Sequence, residues 1–129
     1  MTPDTLLHRQ VNPSWVQDGR VTSQLFKPSP KDEGRLSVYD GDRMSAPAAW
    51  AHFTGILGFL SIGVMSVTVA ECITHELPVE PDPEPFPEHT IIRFDGLSPN
   101  EVRRRAKYLT KAAQVRGWQY RLEQDSTRS

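Results

Sequence analysis

The sequence predicts one α+β domain: a small, mostly antiparallel sheet of four or five strands, a middle helix and an amphipathic C-terminal helix. Three observations predict it. Short β-branched segments alternate in polarity, turn residues separate them, and one long segment near the C-terminus has apolar residues at helical spacing. We expect the domain to span residues 1–117 and residues 118–129 to be a flexible tail.

The N-terminal third predicts three short strands. Residues 5–11 are apolar and end at an Asn-Pro turn signal, whereas residues 21–26 and 35–39 alternate in polarity. The segment between the last two strands contains Pro28 and Pro30, which stiffen it. We therefore expect a hairpin with a long, rigid connection at this position.

The middle of the chain predicts a helix and then a strand. Ser45 is a suitable N-cap, Pro47 is tolerated in the first turn, and alanines follow. Residues 64–72 are rich in β-branched side chains, which favours a strand. The apolar run at 53–67 contains three glycines and is shorter than the roughly 18 apolar residues that span a bilayer, so we interpret it as buried core.

The C-terminal third predicts an extended segment, a strand and a long helix. Residues 77–88 contain five prolines, which exclude a helix and favour an extended surface conformation. Residues 89–95 place isoleucines on both faces, which predicts a central strand. Ser98 and Glu101 have the spacing of a capping box at a helix start, and Gly117 suits its end.

Composition limits the classes of function. Hydrophobic residues make up 37% and the net charge is −1, so we expect one modest core and no global attraction to nucleic acid or membrane. A single cysteine and an N-terminus without a signal-peptide pattern predict a cytoplasmic protein without disulfides. The expected core residues are Leu36, Val38, Trp50, Phe53, Val67, Val69, Ile92, Phe94, Val102 and Leu109.

Charged residues divide into an acidic and a basic segment. Residues 71–88 contain six acids and no Lys or Arg, and the predicted C-terminal helix that follows is rich in cations. The helix is either a solvated face that the acidic segment complements, or a face for anions and nucleic acid. The acidic, proline-rich segment also has the character of a contact for a protein partner. The possible nucleic-acid face consists of Arg103, Arg104, Lys107 and Lys111.

A second group of polar residues lies in the N-terminal strands. If these strands pair, some of the side chains converge, and His8 with Ser23 or Ser37 and an acid would resemble a hydrolase set. The same residue types also suit a phosphate or nucleotide, and the group is equally consistent with the polar outer face of a half-exposed sheet. The group consists of His8, Arg9, Arg20, Ser23, Gln24 and Ser37.

Metal binding and thiol chemistry are not expected. Cys72 and His75 lie three residues apart, but the sequence has no second pair of ligands to complete a zinc site. Cys72 has no basic neighbour in the sequence that would activate its thiol. We expect no cofactor.

Two stretches carry a resemblance. QVNPSWVQDGRVTSQLFKPSPKDEGRLSV and the later PDPEPFPEHTIIRF resemble small bacterial proteins with an SSQxF segment, an LSV strand and a P-x-H before a strand. Those proteins have no established activity, so the resemblance implies no site. The early strand with His8 or Arg9, and Ser23 after it, is also faintly similar to ADP-ribosyltransferase-like toxins, which implies nucleotide chemistry at those residues.

The sequence therefore leads to three functional hypotheses. The first is a small interaction module that acts through a partner macromolecule, with a protein more expected than nucleic acid and no membrane partner. The second is a small enzyme or nucleotide-binding protein that uses the N-terminal polar group. The third is nucleic-acid binding through the basic C-terminal helix.

Overall fold

A computed structural model describes residues 1–122 and confirms the α+β class. The strands are β1 (Leu6–Gln10), β2 (Val16–Gln17), β3 (Arg20–Val21), β4 (Arg35–Asp40), β5 (Gly63–Thr68), β6 (Val79–Pro81), β7 (His89–Arg93) and β8 (Tyr120–Arg121). The helices are α1 (Ala46–Ala51), α2 (Val69–Thr74) and α3 (Pro99–Arg116). Six strands form one antiparallel sheet in the order β6-β7-β4-β1-β5-β8, and β2 pairs with β3 in a small second sheet. The main sheet thus has more strands than the four or five expected.

The two faces of the main sheet differ in chemistry because side chains alternate along each strand. One face presents Leu7, Leu36, Val67 and Ile92 to α2, α3 and a 3-10 helix at Ser23–Phe26, and this is the hydrophobic core. The opposite face is polar, and α1 with a one-turn π-helix covers part of it. The polar face carries His8, Gln10, Ser37, Tyr39, Ser66 and His89.

The long helix is the element that the sequence predicts best. Pro99 opens α3, the Ser98 hydroxyl accepts a hydrogen bond from the Glu101 amide at 3.2 Å, and Gly117 ends the helix at φ 91°. Its small buried residues, among them Ala106 and Ala113, let it lie close to the sheet.

Two predicted strands are wrong in part. Residues 21–26 do not continue as a strand, because the neighbours Leu25 and Phe26 are both fully buried. A strand on a half-exposed sheet would point one of them outward, whereas the 3-10 helix buries both. The strand expected at residues 64–72 ends at Thr68, whose side chain forms a capping box with Glu71 and starts α2.

The ends of the domain also differ from expectation. Residues 118–122 were expected to be a flexible tail, but β8 pairs with β5 at the edge of the sheet, so the tail does not begin at residue 118. The rest of the expected tail, residues 123–129, lies outside the described residues. Within the proline-rich segment, Val79–Pro81 forms the opposite edge strand, a position that tolerates proline.

Burial confirms most of the expected core. Leu36, Val38, Val67, Ile92, Phe94 and Leu109 are buried. The other four residues, Trp50, Phe53, Val69 and Val102, are only partly buried. No helix within residues 1–122 is long and apolar enough to cross a membrane.

Candidate functional site

The polar face of the main sheet contains a cavity of about 180 Å³, which we call the cleft. Its floor is formed by residues of β1, β4 and β7, and its rim by apolar residues of two connecting segments. The floor residues are His8, Arg9, Gln10, Ser37, Val38, Tyr39 and His89, and the rim residues are Phe53, Leu57, Phe59, Pro85 and Phe86. Apolar and aromatic lining with a small number of placed polar groups is the usual construction of a small-molecule site.

The cleft opens where two central strands separate. β1 and β4 pair through only two residue pairs, which end at His8 and Tyr39. Beyond that point the Arg9 guanidinium bridges the gap: Nε donates to the Leu25 carbonyl at 2.7 Å and Nη1 to the Ser37 carbonyl at 2.9 Å. Burial lowers the pKa of Arg9 to about 10, so its charge is retained at neutral pH.

The Gln10 side chain is buried in the wall of the cleft and only half satisfied. It is 6% exposed, and its Oε1 lies 2.7 Å from the Ser61 hydroxyl, whose single proton is shared with the Gly63 carbonyl at 2.8 Å. Its Nε2 has no hydrogen-bond partner among residues 1–122. A buried donor without a partner costs about 1–3 kcal/mol, and such groups in folded proteins call for an explanation.

Ser37, His89 and Asp82 form a hydrogen-bonded chain at the floor of the cleft. The Ser37 hydroxyl lies 3.0 Å from His89 Nε2. His89 Nδ1 lies 3.0 Å from the Asp82 carbonyl and 3.3 Å from the Asp82 carboxylate. Both Asp82 groups are acceptors, so the proton belongs on Nδ1, and Nε2 accepts from the Ser37 hydroxyl. Ser37 is exposed to the cleft, whereas His89 is nearly buried.

Two further polar pairs support the floor. His8 Nδ1 and the Ser66 hydroxyl lie 2.7 Å apart inside the protein. Burial lowers the pKa of His8, and neither the Met44 carbonyl nor Asp40 fully compensates, so this histidine is neutral. The Tyr39 hydroxyl lies 2.8 Å from His52 Nδ1, and burial raises the pKa of Tyr39, so the phenol keeps its proton.

The rim of the cleft is unusually apolar for an exposed segment. The π-helix at His52–Ile56 leads into a turn at Gly58, where φ is 77°. Around this turn Ile56 is 75% exposed and Phe59 is 57% exposed. The rings of Phe53 and Phe59 pack against each other in a tilted arrangement, with their centroids 5.1 Å apart. The result is a mostly apolar cavity and mouth with a few polar groups on the sheet side.

The polar group predicted in the N-terminal strands converges only in part. His8, Arg9 and Ser37 line the cleft together. The histidine that contacts Ser37 is His89, whereas His8 contacts Ser66. The predicted pairing of His8 with Ser23 or Ser37 is therefore not formed, and Ser37 is paired with a different histidine.

The other predicted residues lie elsewhere. Arg20 is exposed on β3. Ser23 and Gln24 begin the 3-10 helix and line an open groove against α3. The nucleotide site implied by similarity to ADP-ribosyltransferase-like toxins would need Ser23 beside His8 or Arg9, and Ser23 does not line the cleft in which those two meet.

The basic helix is partly neutralised within the protein. Arg116 Nη2 lies 2.8 Å from the Glu71 carboxylate, and Arg105 donates to the His75 carbonyl at 2.7 Å and to Glu76 at 3.2 Å. These two acids lie at the start of the acidic segment, before its prolines, so the complementarity expected between the acidic segment and the helix involves α2 and the residues after it and not the proline-rich part. The remaining cations, Arg103, Arg104, Lys107 and Lys111, are exposed, and the first three line the groove beside Ser23.

Sequence reasoning did not single out Gln10, Asp82 or His89. Ser37 and His89 are 52 positions apart, and only the pairing of β4 with β7 makes them neighbours. His89 stands at the first position of a predicted strand. The sequence does not indicate which strand lies beside it, so nothing identified Ser37 as its partner.

The chain gives no match to a protein-family model, to a curated protein or to a solved structure. Within residues 1–122, no group of three His, Cys, Asp or Glu residues is placed to hold a metal ion. Burial, assisted by the charge of Glu71, raises the pKa of Cys72 to about 12, so this buried thiol keeps its proton at neutral pH. The function is therefore argued from the cleft itself.

Proposed function

We propose that this protein binds a small molecule in the cleft on the polar face of its sheet. The observation that carries the proposal is the buried Gln10 Nε2, a hydrogen-bond donor that has no partner among residues 1–122 and belongs to a residue lining the cavity. An acceptor on a ligand would offset the cost of burying this donor.

The surroundings define the class of ligand. Gln10 favours a carbonyl or carboxylate oxygen, because its Nε2 is an N–H donor. Phe53, Phe59 and Phe86 form an apolar rim that suits a ring or a short hydrocarbon chain. The ligand that fits best is a small carboxylic acid or acyl compound with an apolar body.

A titration with phenylacetate, which has one ring and one carboxylate, tests the proposal. At about 0.4 kcal/mol for each of about ten non-hydrogen atoms, we expect a Kd of about 1 mM. Saturable backbone amide shifts in a ¹H–¹⁵N spectrum should cluster around Ser37, Phe59 and His89. No saturable shifts, or shifts scattered over the surface, would contradict small-molecule binding at the cleft.

A charge variant with a matched control makes the test specific. Gln10→Glu keeps the acceptor for Ser61 but replaces the unpaired donor with a carboxylate oxygen, so phenylacetate should bind at least about tenfold more weakly, a loss of about 1.4 kcal/mol. Gln17→Glu makes the same change at an exposed residue on β2 and should leave the Kd unchanged. Equal effects of the two variants would show that the donor has no role.

A protein partner is a second candidate function, favoured by the exposed apolar rim. Ile56 and Leu60 are 75% and 71% exposed, and large apolar side chains in one exposed segment are typical of contact surfaces. Recovery of a stoichiometric partner by wild-type protein, and its loss for Ile56→Ser with Leu60→Ser, would support this function. Recovery of no partner would count against it.

Nucleic-acid binding through α3 stays a prediction. The exposed cations Arg103 and Arg104 would give a salt-dependent mobility shift with DNA or RNA that is lost when both are changed to alanine. No measurable affinity at low salt would exclude it.

A further inference from the structure

We propose that Ser37 is a nucleophile and His89 its general base, so that the protein hydrolyses a small carboxylic ester by way of an acyl-serine. This inference rests on the proposed function, because the ester would occupy the same cleft. It deepens that function by assigning a reaction and a substrate class to the residues on the cleft floor.

The contacts of His89 match the task of a general base. Its Nε2 accepts the Ser37 hydroxyl at 3.0 Å, and its Nδ1 is held by Asp82 through the carbonyl at 3.0 Å and the carboxylate at 3.3 Å. Asp82 thus acts as a positioning residue: it fixes the tautomer and would stabilise the imidazolium that forms when the proton arrives. Ser37 is exposed to the cleft, where an ester carbonyl can reach it.

The same cleft supplies a donor for the negative charge that develops on the carbonyl oxygen. β1 and β4 separate beyond His8 and Tyr39, and Gln10 and Ser37 both line the cleft that opens there. The donor that this proposal assigns to the carbonyl oxygen is the unpaired Gln10 Nε2.

The reaction balances with water as the only co-substrate. The Ser37 oxygen bonds to the ester carbonyl carbon while its proton passes to His89 Nε2. The tetrahedral intermediate then expels the alcohol, which leaves with that proton, and acyl-Ser37 remains. Water attacks the acyl carbon, His89 takes one water proton and returns it to Ser37, and the carboxylic acid is released.

Labelling with an alkyl fluorophosphonate tests the nucleophile directly. Ser37 should displace fluoride and gain the phosphonyl group, which peptide mass spectrometry locates, and p-nitrophenyl butyrate should be hydrolysed. Ser37→Ala should abolish both, and His89→Gln should slow both at least about 100-fold, the lower range for loss of a general base. Ser14→Ala, which changes an exposed serine outside the cleft, should behave as wild type.

Asp82 and Gln10 are tested through readouts that a structural role would not change. Asp82→Asn should slow labelling about tenfold, and Asp82→Glu should restore part of the rate because it restores the charge that stabilises imidazolium. Gln10→Met should slow the turnover of p-nitrophenyl butyrate. The urea midpoint of unfolding should change little, which separates a role in the reaction from a role in the fold. A rate unchanged in Gln10→Met would remove Gln10 from the reaction.

The outcomes separate this proposal from the binding function. If phenylacetate binds in the cleft but the fluorophosphonate labels no serine, or labels another serine, the nucleophile is wrong and the binding function stands. If Ser37 is labelled equally in the wild type and His89→Gln, the general base is wrong. If phenylacetate does not bind and Ser37 is not labelled, both proposals fail.

Discussion

Replacing Arg9 with methionine should cost about 2–4 kcal/mol of the free energy of unfolding. The change removes two hydrogen bonds from a charged donor, to the carbonyls of Leu25 and Ser37, each worth about 1.5–3 kcal/mol. The expected loss of free energy is smaller than the summed worth of the two hydrogen bonds for two reasons. The Ser37 carbonyl is exposed enough to bond water, and the methionine side chain keeps some of the contact with Trp15. Leu25 is fully buried, so its carbonyl bears most of the cost.

Urea unfolding followed by tryptophan fluorescence measures this loss. Arg20→Met makes the same chemical change at an exposed arginine on β3 and should stay within about 0.5 kcal/mol of wild type. A loss below about 1 kcal/mol for Arg9→Met would refute the idea that its guanidinium bridges the gap between β1 and β4, because even one lost charged hydrogen bond should exceed that value.

Three further predictions concern the support of the fold. Burial alone would raise the pKa of Glu71, but hydrogen bonds from Arg116 and the Thr68 cap outweigh it and hold the pKa below its ordinary value of 4.5. Glu71→Gln should therefore cost about 1–2 kcal/mol at pH 7 in urea unfolding. The difference should begin to shrink as the pH falls to 4.5 and vanish only below the lowered pKa of the native carboxylate; a constant difference would contradict this. The buried Cys72 should react with Ellman's reagent only in denaturant, and rapid reaction of native protein would contradict its raised pKa. Gly63→Ala should detach β8, seen as faster hydrogen exchange there, since a Cβ would lie 2.5 Å from the Tyr120 carbonyl; unchanged exchange would contradict that crowding.

Local signals predicted the elements whose structure is decided locally. The long helix follows from Ser98, Pro99 and Gly117, because capping and backbone conformation act within a few residues. Strands β1 and β7 were predicted from the apolar residues in the segments 5–11 and 89–95. At Leu25 and Phe26 the alternation of polarity favoured a strand. The core buries both side chains on the same side, and the segment forms a 3-10 helix instead.

The candidate site was predictable only in part, because it depends on strand order. His8, Arg9 and Ser37 were chosen for their residue types and do meet in the cleft. His89 joins them because β7 lies beside β4, a long-range pairing that the sequence does not specify. Gln10 was missed because an unpaired buried amide is a property of the folded structure and leaves no mark on residue type or spacing.

The central claim, that the cleft binds a small acyl compound through the unpaired amide, is tested most directly by the side-chain NH₂ resonances of Gln10 in a ¹H–¹⁵N spectrum. As phenylacetate is added, one of these two proton resonances should move downfield and saturate together with the backbone amides of the cleft, since it gains an acceptor. The side-chain resonances of Gln17 should not move. If the Gln10 resonances stay fixed while the ligand binds, the claim is contradicted.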